Sequence, residues 1–150
     1  YTAPRERGRQ KVQELLNQCQ AYLDQAARLN REVEFKDYYC NIAAMQRILA
    51  AQQIGEMEPK QKLYEAAIGL ASFAVGKDSR NFAYLDTLAR AEFELAVLDH
   101  DPALIRKSAA HIREAELRAF FLRSPRADEV RHSIEEMAEK IREQMDAPRR

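Results

Sequence analysis

The sequence predicts an all-α fold, and three observations carry that prediction. The composition is the first. The 150 residues include four glycines, five prolines and no tryptophan. Alanine, leucine, glutamate, arginine and glutamine dominate, all of them good helix formers. Valine and threonine, which strands prefer, are few. The second is periodicity, because apolar residues recur at three- and four-residue steps in six separate segments. The third is punctuation. Asp101-Pro102 and Ser124-Pro125 each place an N-capping side chain directly before a proline suited to the first helical position. The expected architecture is about six antiparallel helices stacked as hairpins, with a plain helical bundle as the alternative.

The first helix is expected from about Arg5 to Arg31, within an N-terminal segment ending at residue 33. Val12, Leu15, Leu16, Cys19, Tyr22, Leu23, Ala26, Leu29 and Val33 form its apolar stripe. Arg5, Arg7, Arg9 and Lys11 cluster at its start, where cations oppose the helix dipole and fray the first turns. The cluster reads as a solvated end, or as a weak contact for an acidic partner or lipid. The second helix is expected from Phe35 to Gln53. Phe35, Tyr38, Tyr39, Ile42, Met45, Ile48 and Leu49 are assigned to its buried face, and Ala43, Ala44, Ala50 and Ala51 keep it slim. Gly55 is read as its C-terminal cap and Pro59 as a first-turn residue of the third helix. That helix is expected to run from Pro59 to Val75 and to stop at Gly76.

The fourth helix is expected from Asn81 to Leu98 and the fifth from Pro102 to Leu122. The sixth runs from Pro125 to Gln144, with Val130, Ile134, Met137 and Ile141 as its buried stripe. The tail after it is expected to be loose. No glycine-rich or low-complexity linker divides the chain, so residues 1–150 read as one domain. Tyr1 at the first position leaves room for that domain to be part of a longer protein.

Basic and acidic residues balance at 24 each. Zero net charge argues against a general nucleic-acid or anionic-membrane binder. No apolar run approaches the roughly 20 residues of a spanning helix. Cys19 and Cys40 read as small buried side chains and do not fix a compartment, although the cytoplasm is favoured over a soluble domain on a membrane anchor.

Small residues sit where larger ones would bury more surface. Ala67, Ala71 and Ala74 share one phase, and Leu88-Ala89 follows fourteen residues after Ala74. Phe93 comes a turn later, and Ser108, Ile112 and Ala115 repeat the small-large-small order. This register resembles the tetratricopeptide repeat, a helix-turn-helix unit of about 34 residues. The match covers residues 64–115, with a weaker earlier unit at Tyr39, Ile42 and Ala43. The segments 35–75 and 81–122 are then two degenerate repeats and 125–145 a capping helix. Ser79 stands where the family often has proline, and the spacing is longer than the consensus by about seven residues in one unit and twelve in the other.

The resemblance implies that first helices line a groove for a partner segment. On the fourth helix the groove positions are Ala83, Asp86, Thr87, Arg90, Phe93 and Glu94. The lysine and asparagine with which some members grip a terminal carboxylate are missing at Asp86 and Arg90, so no such clamp is expected.

Signatures of chemistry are absent from the sequence. There is no phosphate-binding loop, dinucleotide fingerprint, nucleophile elbow, paired-cysteine motif or HExxH. Asp101 in "DHD" reads as a helix cap, and His111 and His132 as surface or boundary residues. Glu129 to His132 has the Glu-x-x-His spacing once, whereas a carboxylate-bridged dimetal bundle needs it twice. The charge run of the last helix reads as a solvated face with pairs such as Glu136 and Lys140. No catalytic residue, metal or cofactor is expected.

The leading functional reading is therefore a non-enzymatic module that binds a protein segment or self-assembles. The first alternative is an assembly domain of a larger membrane-associated or secretion complex. It would dimerise through a coiled-coil seam of Val12, Leu16, Cys19, Leu23, Ala26 and Asn30, although the same stripe is suited to pack on the second helix. The second alternative is a metal-binding or enzymatic bundle.

Overall fold

The computed structural model describes residues 4–28, 36–120 and 125–146, apart from the side chains of residues 126 and 127. Among them are six helices and no strand: α1 (Pro4–Arg28), α2 (Lys36–Gln52), α3 (Met57–Lys77), α4 (Phe82–Asp99), α5 (Pro102–Ala119) and α6 (Pro125–Asp146). The all-α class is thus as the sequence predicts. None of these helices is long and apolar enough to cross a membrane. The chain divides into two compact units, Tyr1–Lys77 and Asp78–Arg150. Their boundary falls in the exposed Asp78–Arg80 turn, not in a linker of distinctive composition.

In the first unit α2 packs on α1 along one flank and on α3 along the other. A helix with two neighbours needs a wide buried arc made of small side chains. Cys40, Ala43, Ala44, Ile48, Ala50 and Ala51 supply it. At 100° per residue they span about half the circumference. The alanines are therefore the packing surface itself, because short side chains let neighbouring backbones approach closely. The expected buried face of α2 is corrected accordingly. Of its seven residues only Ile48 is buried, while Tyr38, Met45 and Leu49 point outward and Phe35 lies outside the described residues. Helix α3 answers with Tyr64, Ala67, Ala71 and Ala74, all without measurable exposure.

Two glycine assignments are also corrected. No glycine has a positive φ, so Gly55 is not a left-handed cap. Gly76 lies inside α3, which runs on to Lys77. The aromatic face of Phe73 lies beneath Lys36 and Lys77, whose ammonium groups stand 5.2 and 5.5 Å from the ring centre. These contacts fasten the end of α3. Pro59 sits in the first turn of α3, as expected. At the other end of the unit α1 is already helical at Pro4. A proline needs no intrahelical N–H partner at that position, and the helix holds there despite the cations that follow it. Leu29, Asn30 and Val33 lie outside the described residues.

In the second unit α5 packs on α4 and α6, and α4 also meets α6. The buried stripe of α5 is Ile105, Ser108, Ile112, Ala115 and Ala119. That of α6 is Ile134, Met137, Ala138 and Ile141, with Val130 half-buried. At the α4–α5 contact Ala89 and Ser108 are fully buried, and the Ser108 hydroxyl donates to the Ala89 carbonyl at 2.7 Å. A larger residue at either place would push the helices apart.

Asn81 and Asp101 cap α4 and α5. Asn81 Oδ1 accepts from the N–H groups of Ala83 and Tyr84, and Asp101 Oδ1 from those of Ala103 and Leu104. Asp101 and Pro102 thus act as the sequence predicts, whereas Ser124 lies outside the described residues. His100 ends α4 in the left-handed conformation at φ 52°, a role usually given to glycine or asparagine. On α6, Glu136 pairs with His132 at 3.5 Å instead of with Lys140.

Candidate functional site

The expected groove positions on α4 divide by burial. Asp86, Thr87 and Phe93 are each less than a tenth exposed, while Ala83, Arg90 and Glu94 are half-buried. Thr87 is occupied by its own helix, its hydroxyl donating to the Ala83 carbonyl at 3.0 Å. Phe93 belongs to the core. These three side chains are thus turned into the packing of their unit, and only Ala83, Arg90 and Glu94 keep appreciable exposure.

Asp86 and Arg90 meet through Ser133, which no sequence motif marks. The Ser133 hydroxyl of α6 donates to Asp86 Oδ2 at 2.9 Å and accepts from Arg90 Nη2 at 2.8 Å. Their direct approach is a loose 4.0 Å, so serine is the working link. Burial pushes the Asp86 carboxyl above its ordinary range, and the Arg90 charge and Ser133 bond oppose that shift. Asp86 Oδ1 is buried without a hydrogen bond. The serine hydroxyl both donates and accepts, which makes it a bridge between α4 and α6.

A second buried acid on α4, Glu92, meets His111 Nδ1 of α5. His111 is half-buried and His132 exposed. Among the described residues no cluster of three histidine, cysteine or acidic side chains is placed to hold a metal ion.

The expected α1 seam is mostly facing inward. Cys19 and Ala26 are buried. The Cys19 thiol approaches the Ala43 carbonyl of α2 at 3.5 Å, and burial raises its pKa, partly offset by the nearby Arg47 guanidinium. Tyr22 stacks on Tyr39 of α2 at 6.2 Å between ring centres. Val12, Leu16 and Leu23 are half-buried, and Asn30 is not described. Cys19 and Ala26 are therefore committed to the α1–α2 contact. Cys40 is likewise buried, and neither cysteine is in a disulfide.

An aligned row of apolar side chains open to a partner lies on α2. Tyr38, Met45 and Leu49 are 41, 47 and 44% exposed, and half-buried Ile42 lies between them. Steps of four, three and four along a helix align all four on one face. Tyr38 packs edge-on against Tyr39 at 5.4 Å, which holds its ring in place. The signal was present in the sequence. On a helical wheel the alanines of α2 occupy the arc opposite these large residues, so one of the two arcs had to face outward.

No family model, curated protein or solved structure matches the chain.

Proposed function

We propose that this chain is a non-catalytic protein-interaction module, built from hairpins like those of the tetratricopeptide repeat, and that α2 presents its binding face. The observation that carries this reading is the exposed Tyr38–Ile42–Met45–Leu49 stripe on a helix whose packing is done by alanine. Exposed apolar side chains scattered singly are ordinary, whereas an aligned row is suited to cover by another protein. Methionine adapts to varied partner shapes, and tyrosine adds a large ring with a polar tip. By the repeat resemblance α2 is the first helix of its unit, the kind of helix that lines the groove for a partner segment. The small residues at Ala43 and Ala67, and at Ala89 and Ser108, support the same reading through their full burial in each hairpin.

The test compares wild type with Met45→Glu/Leu49→Glu in a pull-down from native lysate, after circular dichroism shows equal helix content. Both residues are nearly half exposed, so the exchange leaves the packing arc alone. We expect a partner held by wild type to be lost by the variant. A partner retained equally by both would show that α2 is not the binding face.

A further inference from the structure

The first unit carries a second recognition feature, away from the α2 stripe, where the start of α1 passes the α2–α3 turn. Cys19 and Ala43 are opposite one another. From that point α1 extends fifteen residues back to Pro4, and α2 only nine forward to Gln52. At 1.5 Å per residue α1 overhangs α2 by about 9 Å. Beside the overhang is an open groove of about 940 Å³. Arg5, Gly8, Arg9 and Val12 line it from α1, and Ile54 and Glu56 from the turn.

Arg5 and Arg9 outnumber Glu56 among its charged lining residues, and the α1 end that carries them is basic. Arg5, Arg7, Arg9 and Lys11 fall within the first two turns of α1, with Glu6 the only acid among them. None of the four cations forms an ion pair with a described residue. They also stand at the helix end where positive charge is least favourable. Arg5 and Arg9 are one turn apart on the groove side. Between them Gly8 opens the floor, and a Cβ added there would meet nothing within 4 Å. Half-buried Val12 and Ile54 provide an apolar wall.

We infer that this groove binds an acidic segment of a partner protein, with two carboxylates about one helical turn apart on Arg5 and Arg9 and an aliphatic side chain against Val12 and Ile54. A concave site with an apolar wall fits a side chain better than a flat lipid surface does. Glu56, from the turn side of the lining, repels carboxylates and so biases the orientation of the segment.

The probe is a fluorescein-labelled peptide, Ala-Asp-Leu-Glu-Glu-Leu-Glu-Ala, titrated with the full 150-residue chain and read by fluorescence anisotropy. Saturable binding by wild type is expected. Arg5→Glu/Arg9→Glu and Gly8→Leu should each weaken it by about tenfold or more. Gly8→Leu is the sharper variant, because leucine favours the helix, keeps every charge and puts a bulky side chain into the open space between Arg5 and Arg9. Arg7→Glu/Lys11→Glu makes the same charge change off the groove and should stay within about threefold of wild type. Met45→Glu/Leu49→Glu should bind normally, which separates this site from the α2 face. Three results would each overturn the inference: no saturable binding by wild type, equal loss in the two double variants, or normal binding by Gly8→Leu. If the first of these is accompanied by retention on phosphatidylserine vesicles, the basic end of α1 is a membrane contact instead.

Discussion

Asp86 is the residue whose surroundings lead most directly to a measurable consequence. Its carboxyl is buried, bonded on one oxygen by Ser133 and unbonded on the other. Burial outweighs Arg90, so the folded-state pKa lies above the unfolded value. Between those two values the folded chain binds more protons, and its stability rises as pH falls. Asp86→Asn keeps an acceptor for Ser133 but cannot titrate. Urea unfolding at a series of pH values should therefore show wild type gaining on Asp86→Asn as pH drops from neutral through the raised pKa. The gain should level off below the ordinary value of 3.8. An unchanging difference across that range would mean that Asp86 is not held above its ordinary value. The sequence shows Asp86 and Arg90 one turn apart, but not Ser133, 43 residues beyond Arg90. A bond between distant helices depends on packing that periodicity alone does not specify.

At the scale of elements, capping and spacing made much of the structure legible. Asp101-Pro102 starts α5 where its chemistry requires, and the α6 stripe of Ile134, Met137 and Ile141 is buried as the periodicity predicts. A glycine near a helix end suggests a left-handed cap, but here His100 takes that conformation. Gly69 extends the lesson. It is exposed in the interior of α3, has ordinary helical backbone, and has open space where a Cβ would lie. Gly69→Ala should therefore stabilise the protein by about 1 kcal/mol, the propensity difference between the two residues. Thermal unfolding checks this, and an unchanged or lower midpoint would contradict it. The faces of α2 were misassigned for a related reason. Large apolar residues usually mark the buried side, but a helix flanked by two neighbours reverses that rule when close approach gains more than side-chain bulk.

For the whole molecule, the sequence conveys helix number and order well. It does not reveal the division into two compact units, because the boundary is an ordinary polar turn of exposed Asp78, Ser79 and Arg80. That turn is held by the Asn81 N–H donating to the Asp78 carbonyl at 3.1 Å, while Asn81 separately caps α4. Inserting Gly-Ser between Ser79 and Arg80 sacrifices the turn bond and preserves the cap. The expected cost is about 1 kcal/mol, given that bond, the exposed Asn81 Nδ2–Asp78 Oδ2 contact at 3.5 Å and a small loop-entropy term. A much larger fall in the urea midpoint would show the turn length to be under tight constraint.

The alanine packing arc of α2 also has an evolutionary consequence. Where large side chains form both the core and the recognition face, a change of partner disturbs folding. Here the buried arc consists mostly of residues with almost no side-chain entropy to lose, and the bulky residues opposite it have little structural duty. Tyr38, Met45 and Leu49 can then drift in sequence while Ala43, Ala44, Ala50 and Ala51 cannot. Related chains would keep the dull residues of this helix and vary the conspicuous ones, the reverse of the pattern usually expected of a conserved hydrophobic helix.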